Sequence, residues 1–534
     1  MATRPAEPEQ RRHDSPVRQG LVPDAELPHL VHDDITPLGA LLGDLLSVAA
    51  ALEAGGVPVL LIRHDRSTPA LVVDADRRAD ALLALRERLP DGPFHIKIKG
   101  APAVPIDRVR LPGSAPLALR VFRPRVTSRG NLRYGAHWAA RVEFWRFGVD
   151  VIEAPRENLL TRRQTPASDV AFDEVEQYGR RWRTLAGMFD PHPDEFHGDV
   201  DIVFSWVDGS SPAFQRQRAA RLARNAVGTG DGGPHRYRHV DELRYALRSV
   251  HMHAPWIRRI FIATDSPAPT WLAEHPKVTI VRSEEFFADP AVLPTHNSHA
   301  IEAQLHRIPG LSEHFLYSND DMFFGRPVEP EMFFTPAGHT LFVSSPVRIG
   351  PGEPAAHRSG HDNALRVNRA LLRERFGRTI LRDLSHCATP LRRSVLFELE
   401  REFPAEFART AAARFRSMTD ISVTNSLYHH YAQLTGRASP TTRPRIAYVQ
   451  TTAAGALQRM DELAERRNVD LFCLNDGPET DIPEQLRRRA VQDVLERMFP
   501  IRAPWERPGG PVDEALTSDG TGADGPVSVE VESG

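Results

Sequence analysis

The sequence predicts an α/β protein: a largely parallel sheet with flanking helices, followed by a helix-rich section and preceded by a small N-terminal α/β domain. Three observations predict this. Between about 198 and 345, short apolar runs alternate with helix-period segments, the pattern of βαβ units. From about 346 to 500 the helical period dominates. The 534 residues exceed one ordinary domain, so the α/β pattern at 36–190 reads as a separate unit.

In that first unit, Leu38, Leu41, Leu42, Leu45, Leu46 and Ala49 recur at helical spacing. VPVLLI (57–62) and ALVVDA (70–75) read as strands, and 76–89 as an amphipathic helix. HIKIKG, LALRVF and ARVEFWRFGVDVIE read as further strands. No catalytic motif stands out here. The apolar stretch from Leu38 to Leu61 is interrupted by Asp44, Glu53 and a Gly-Gly-Val-Pro turn, which argues against an integral membrane segment. Residues 1–33 are polar and Pro-rich, and 503–534 are rich in Gly, Pro, Asp and Ser. Both are expected to be disordered.

In the second unit, VDIVFSWV (200–207), 257–264, 278–282 and 314–320 read as strands. HVDELRYALRSV (239–250), PTWLAEH and SHAIEAQLHRI (298–308) read as helices. In the third, helices are expected in ALRVNRALLRERFG, TPLRRSVLFELEREF, PAEFARTAAARFRS and NSLYHHYAQLTG. The section ends in the apolar run DLFCLNDG.

Hydrophobic residues make up 41% and charged residues 26%, a globular composition. A formal net charge of −3 lacks the cationic field of a generic nucleic-acid binder. Two cysteines, Cys387 and Cys473, make neither a disulfide framework nor a zinc pattern. The first residues lack the apolar core of a secretory signal. A cytoplasmic protein is therefore expected, with any membrane attachment peripheral to the inner face.

Ligands of open parallel sheets bind beyond the carboxyl ends of the strands. There the sequence places Trp206-Val207-Asp208-Gly209, Thr264-Asp265 and Asn319-Asp320-Asp321. Acids gathered on one rim repel one another unless a cation lies between them, and Mg²⁺ favours carboxylate oxygens plus substrate phosphates. The plain alternative is that each acid caps a helix or closes a turn. The Asp320–Asp321 pair, followed at once by Met322-Phe323-Phe324, favours function, because uncompensated charge beside a core is costly. Asp265 stays with the plain reading. The third section carries Arg366, His386, Arg414 and Arg416; arginine suits phosphate and histidine suits general-base work. Taken singly, each of these reads more readily as structural.

The run DIVFSWVDGSSPAFQ (201–215) resembles the first signature block of the Stealth family, bacterial polysaccharide phosphotransferases related to the catalytic subunit of the animal GlcNAc-1-phosphotransferase. Arg236 to Pro327 resembles the second block, with LPTHNSHAIE and HFLYSNDDMFFGRP. His361 to Arg437 resembles the third, and FCLNDG (472–477) the short fourth. The resemblance covers a little over half of the chain. Two departures are His296, where an aromatic residue is expected, and Cys387-Ala388-Thr389-Pro390 after His386.

The resemblance implies a glycosyltransferase-like core and transfer of a hexose-1-phosphate from a UDP-sugar donor to a polysaccharide or oligosaccharide acceptor. It implies Asp321, Arg366, His386 and Arg416 as catalytic residues. It places Trp206, Asp208, Gly209, Asn319 and Asn475 on the substrate, and Asp320, Asp321 and Asp476 on Mg²⁺ or Mn²⁺. The alternatives are a metal-dependent glycosyltransferase releasing UDP, or a non-catalytic polysaccharide-binding scaffold.

Overall fold

The computed structural model describes residues 27–508 except 66–67, 112, 114, 210, 213–214, 217–218, 220–239 and 478–480. In the N-terminal unit, His95–Ile98, Leu117–Phe122 and Ala140–Phe147 pair antiparallel. Pro69–Asp74 then joins parallel to Ala140–Phe147, and Leu60–Arg63 pairs with Pro69–Asp74. Successive strand residues face opposite ways. Leu119, Val142 and Phe144 meet Leu45, Val48 and Leu52 of the helix Pro37–Ala54 and Leu85 of the helix Arg78–Arg88. The other face carries Arg141, Glu143 and Trp145.

Pro37–Ala54 is the one described helix long and apolar enough to cross a membrane. It lies on the sheet instead. Thr36 caps it through Oγ1, which accepts the Gly39 N–H at 3.1 Å, and Pro37 opens its first turn. Its Asp44 is fully buried and accepts from Arg123 Nε at 2.7 Å and from Arg125 Nη1 and Nη2 at 2.9 and 2.7 Å. Asp44→Ala strands two sequestered guanidinium groups and is expected to cost about 3 kcal/mol in urea unfolding. An unchanged midpoint would contradict that account.

The described chain has regular structure past both expected boundaries. Leu30–Val31 pairs with Arg125–Val126, and residues 1–26 lie outside the described part. At the other end, 503–508 is no loose tail. Trp505 is buried, and its carbonyl accepts the Ala273 N–H at 2.8 Å. Glu506 binds Arg244 Nε and Arg248 Nε, each at 2.7 Å. The polar composition conceals an anchor for two buried cations. Residues 509–534 lie outside the described part.

The central sheet runs in the order Val278–Val281, Ile260–Ala263, Val200–Ser205, His314–Asn319, Thr389–Arg392. The first four strands are parallel and the fifth is antiparallel. The fifth was expected to be helical. Pro390 cannot donate to a ladder and is tolerated because this strand is an edge; the helix starts only at Arg393. Since the helix-rich section supplies this strand, residue 345 is no domain boundary. PTWLAEH forms turns rather than a helix, with Leu272 bridging Glu506. The expected helix 298–308 splits into Ser298–Glu302 and a 3₁₀ turn, Leu305–Arg307. There Gln304 accepts the Ala288 N–H, and His306 lies 2.9 Å from Glu400.

After Asn319 the chain turns through Asp320–Asp321 into Met322–Phe324, leaving the central sheet for a second one. This second sheet has Leu471–Asn475 between Met322–Phe324 and Ile446–Gln450. Phe323 stacks on Phe472 at 4.9 Å, which fixes the crossing.

Candidate active site

Asp321 sits at that crossing. Its carbonyl accepts the Leu474 N–H at 3.0 Å, and its Oδ2 lies 3.4 Å from Cys473 Sγ. Its Oδ1 is buried with no hydrogen-bond partner. Burial, with Glu242 and Asp476 adding repulsion, pushes this carboxyl up to about 6. Glu242 opens the helix Glu242–His253, and Asp476 follows the strand Leu471–Asn475. Three acids from distant parts of the chain therefore share one field. Asp476 is itself 3.2 Å from Arg487. Asn475 is tied through its carbonyl to the Thr451 N–H at 2.9 Å. Asp320 adds its charge beside Cys473.

The first signature lies at the end of the neighbouring strand. The Trp206 N–H reaches the Ala263 carbonyl at 3.2 Å, the Asp208 N–H reaches Ser266 Oγ at 2.9 Å, and the Gly209 N–H closes on the Val207 carbonyl at 3.0 Å. Asp265 is structural: its Oδ1 accepts the Ser283 N–H at 2.8 Å, at the start of a short helix.

His386 lies across the second sheet from Asp321. In register, Met322, Cys473 and Tyr448 form one cross-strand row. Asp321 precedes one end of it, and the His386 ring packs edge-on against Tyr448 at the other, with centroids 6.0 Å apart. Cys387, next to His386, lies near enough to Cys473 that a charge on one would disfavour a charge on the other. Burial lowers the imidazole to about 4. His361 and Arg416 push the same way and Asp383 opposes them. The ring is therefore neutral at pH 7, the form that accepts a proton. His361 Nε2 lies 2.9 Å from Asp383 Oδ2. Burial alone would raise the Asp383 carboxyl, but the bond to His361 brings it below its ordinary value.

Arg416 donates to Ser298 Oγ at 2.8 Å, and its charge acts on His386, Glu302 and Tyr317. Arg366 is placed differently. Its buried guanidinium donates to the Asp362 carbonyl at 2.7 Å, pairs with the Asp362 carboxylate at 2.5 Å, and lies 3.4 Å from the Pro351 carbonyl. A Cβ on Gly350 would fall 2.6 Å from its Nη2. Arg366 holds the 350–351 turn against the helix Gly360–Phe376. The structure sets Arg416 in the field of His386, connects His386 to the Asp321 crossing through the Tyr448–Cys473–Met322 row, and gives Arg366 a supporting place.

Glu242, Asp383, Glu302 and Tyr317 also act in this neighbourhood and were not singled out from sequence. Glu302 is buried; its Oε2 accepts from Thr424 Oγ1 at 2.7 Å, and its Oε1 lies 3.4 Å from the Tyr317 hydroxyl. That hydroxyl is 2.9 Å from Asn319 Oδ1. Burial raises the Glu302 carboxyl above its ordinary value, with Thr424 and Arg416 opposing. The available signal was an acid ending the short helix Ser298–Glu302 directly after Ala300-Ile301. His296, the departure noted above, stacks on Phe415 at 5.4 Å and 20°, so its ring does an aromatic residue's packing.

Among the described residues, no three His, Cys, Asp or Glu side chains gather as a closed metal cage. Asp320, Asp321 and Asp476 are therefore not a complete ligand set. The unpartnered Asp321 Oδ1, facing the field of Glu242 and Asp476, nevertheless suits Mg²⁺, which takes few protein carboxylates and completes its shell with phosphate and water.

Four stretches match the Stealth conserved regions in order: region 1 at 198–226, region 2 at 236–342, region 3 at 385–433 and region 4 at 461–517. Region 4 reaches well beyond FCLNDG, and Arg366 falls between regions 2 and 3. The exopolysaccharide phosphotransferase CpsY of Mycobacterium tuberculosis H37Rv is 50% identical over 477 residues, 89% of this chain and 90% of that protein. An exopolysaccharide phosphotransferase of Nocardia farcinica is 51% identical over 484 residues, 91% of each chain. Among solved structures, the galactosyltransferase LgtC with donor and acceptor sugar analogs aligns with 57% of this chain and 96% of its own, at 12% identity and a TM-score of 0.30. That score is too low to carry an argument.

An open α/β sheet with carboxylates at its strand ends, set against a neutral histidine and an arginine, together with these relatives, defines an enzyme of the sugar-phosphate transferase class. The chain belongs to the Stealth family.

Proposed function

We propose that the enzyme transfers a hexose-1-phosphate, an N-acetylhexosamine-1-phosphate in the first instance, from a UDP-sugar to a hydroxyl of a growing capsular or exopolysaccharide on the cytoplasmic side. The observation that carries this reading is the unpartnered Asp321 oxygen on one side of the Cys473 row, with neutral His386 and Arg416 on the other. The donor lies across the strand ends, against Trp206, Asp208, Gly209, Asn319 and Asn475. Asp321, with Asp476 and Asp320 adding charge, would hold Mg²⁺ or Mn²⁺, which when bound would neutralise the diphosphate. His386 takes the proton of the acceptor hydroxyl. The acceptor oxygen forms a bond to the β-phosphorus, the bond from that phosphorus to the bridging oxygen breaks, and UMP leaves. Arg416 binds the non-bridging oxygens while charge redistributes. Phosphoryl transfer needs chiefly positioning and charge stabilisation, which this set provides.

The rival is attack at the anomeric carbon, which releases UDP. A panel of UDP-sugars with divalent metal and an oligosaccharide acceptor, read by mass spectrometry, separates the two. UMP and a phosphodiester are expected; UDP and a glycosidic bond would replace the proposal with its rival.

A further inference from the structure

The N-terminal sheet carries a row of like charges that the catalytic reading does not use. Lys97, Arg120 and Arg141 stand directly opposite one another on the adjacent strands His95–Ile98, Leu117–Phe122 and Ala140–Phe147. Directly opposed residues have Cβ atoms roughly 4.5–5.5 Å apart, and like charges there are destabilising. All three project from the face not covered by the helices Pro37–Ala54 and Arg78–Arg88, since their neighbours Ile96, Leu119 and Val142 fill the helix-side core. Arg156 joins them: its Nη1 is 3.3 Å from His64 Nε2, and its Nε is 4.0 Å from Glu143 Oε1.

The acids present do not balance this. Glu143 is fully buried and already committed, accepting from Arg141 Nε at 2.8 Å and from Trp145 Nε1 at 2.9 Å. Asp65 also acts on His64. Arg120 Nη1 donates to the Ala136 carbonyl at 3.3 Å, a neutral partner. The repulsion reaches His64 and Arg120. Burial lowers His64 to about 4, with Arg141 and Arg156 adding to it. Burial first and Arg156 next lower Arg120. Arg141 is buried, so the accessible part of the row is Lys97 and Arg120, on neighbouring strands about 4.8 Å apart. An extended polyanion fits such a row.

We propose that this cationic row is a second binding site, which holds the phosphodiester-linked glycan on the N-terminal domain while its end is extended at Asp321. The proposal rests on the function proposed above, which makes the polymer an anionic phosphodiester chain. The charge complementarity selects that polymer over a neutral polysaccharide. Lys97 and Arg120 recognise backbone phosphates; Arg141, held by Glu143, fixes the line of the row.

The test uses the full-length protein and two synthetic hexose oligomers of equal length, one joined by phosphodiesters and one by neutral glycosidic bonds. The wild type is expected to bind the phosphodiester oligomer, less tightly as salt rises from about 50 to 300 mM, and not to bind the neutral one. The Lys97→Gln/Arg120→Gln variant should lose about tenfold in Kd while releasing UMP normally with a monosaccharide acceptor. Lys97→Arg/Arg120→Lys keeps the charges and should keep the binding. Equal affinity for both oligomers, unchanged binding by the Gln variant, or loss of binding in the charge-preserving variant each overturns the proposal. The binding measurement needs no turnover. Absence of UMP in every protein would remove the catalytic reading and leave the row still tested.

Discussion

Asp321→Asn is expected to lower kcat by about 10³-fold or more while leaving the protein folded. The substitution keeps shape and removes one charge. In the folded protein this carboxyl is raised to about 6, above the range of an exposed aspartate, so the fold favours its protonated form. The ionised form therefore weakens the fold at pH 7, by roughly 1–3 kcal/mol. That penalty fades as the pH falls through 6 toward 4. The asparagine variant should accordingly melt no lower than the wild type at pH 7, with any gain shrinking in acid. An inactive variant that also melts several degrees lower would mean that Asp321 serves the fold instead.

His386→Gln should lower kcat by about 10²- to 10⁴-fold, with the KM for the donor within about twofold, as expected for a group that assists proton transfer without holding the nucleotide. Because burial, His361 and Arg416 all disfavour the imidazolium, the ring should remain neutral from pH 8 down to about pH 5. Its carbon-13 resonance, assigned by its disappearance in the variant, should stay at the neutral position over that range. A midpoint near 6.5 would mean that the ring is solvated and the electrostatic account is wrong. A donor KM that rises in proportion to the loss of kcat would reassign His386 to binding.

The parallel strands were legible because each is an apolar run long enough to cross a sheet buried on both faces. Thr389–Arg392 was not, since a threonine and a proline ahead of a helical period look like the start of the helix. The break within 298–308 was hidden for a related reason: contacts of Gln304 with the Ala288 backbone and of His306 with the Glu400 side chain end the α period there. The acids of the NDD turn and His386 could be named from motifs, but their convergence depends on the register Met322–Cys473–Tyr448, which no local pattern encodes. Glu242 and Glu302 escaped notice because an acid at a helix terminus is ordinary until its surroundings are known. Arg366 shows the converse. A motif position suggested direct chemistry, and its bonds to Asp362 and the 350–351 turn indicate support.

The salt link between Glu506 and Arg244 and Arg248 bears on how the gene can be trimmed. The two arginines belong to the helix whose first residue, Glu242, presses on the reactive carboxylate. A stop codon placed at 502, where composition invites one, would leave those guanidinium groups facing each other with no counterion. The disturbance would travel along one helix to the chemistry, more than 180 residues upstream of the cut. Shortened versions for crystallisation should therefore keep the chain through at least residue 508.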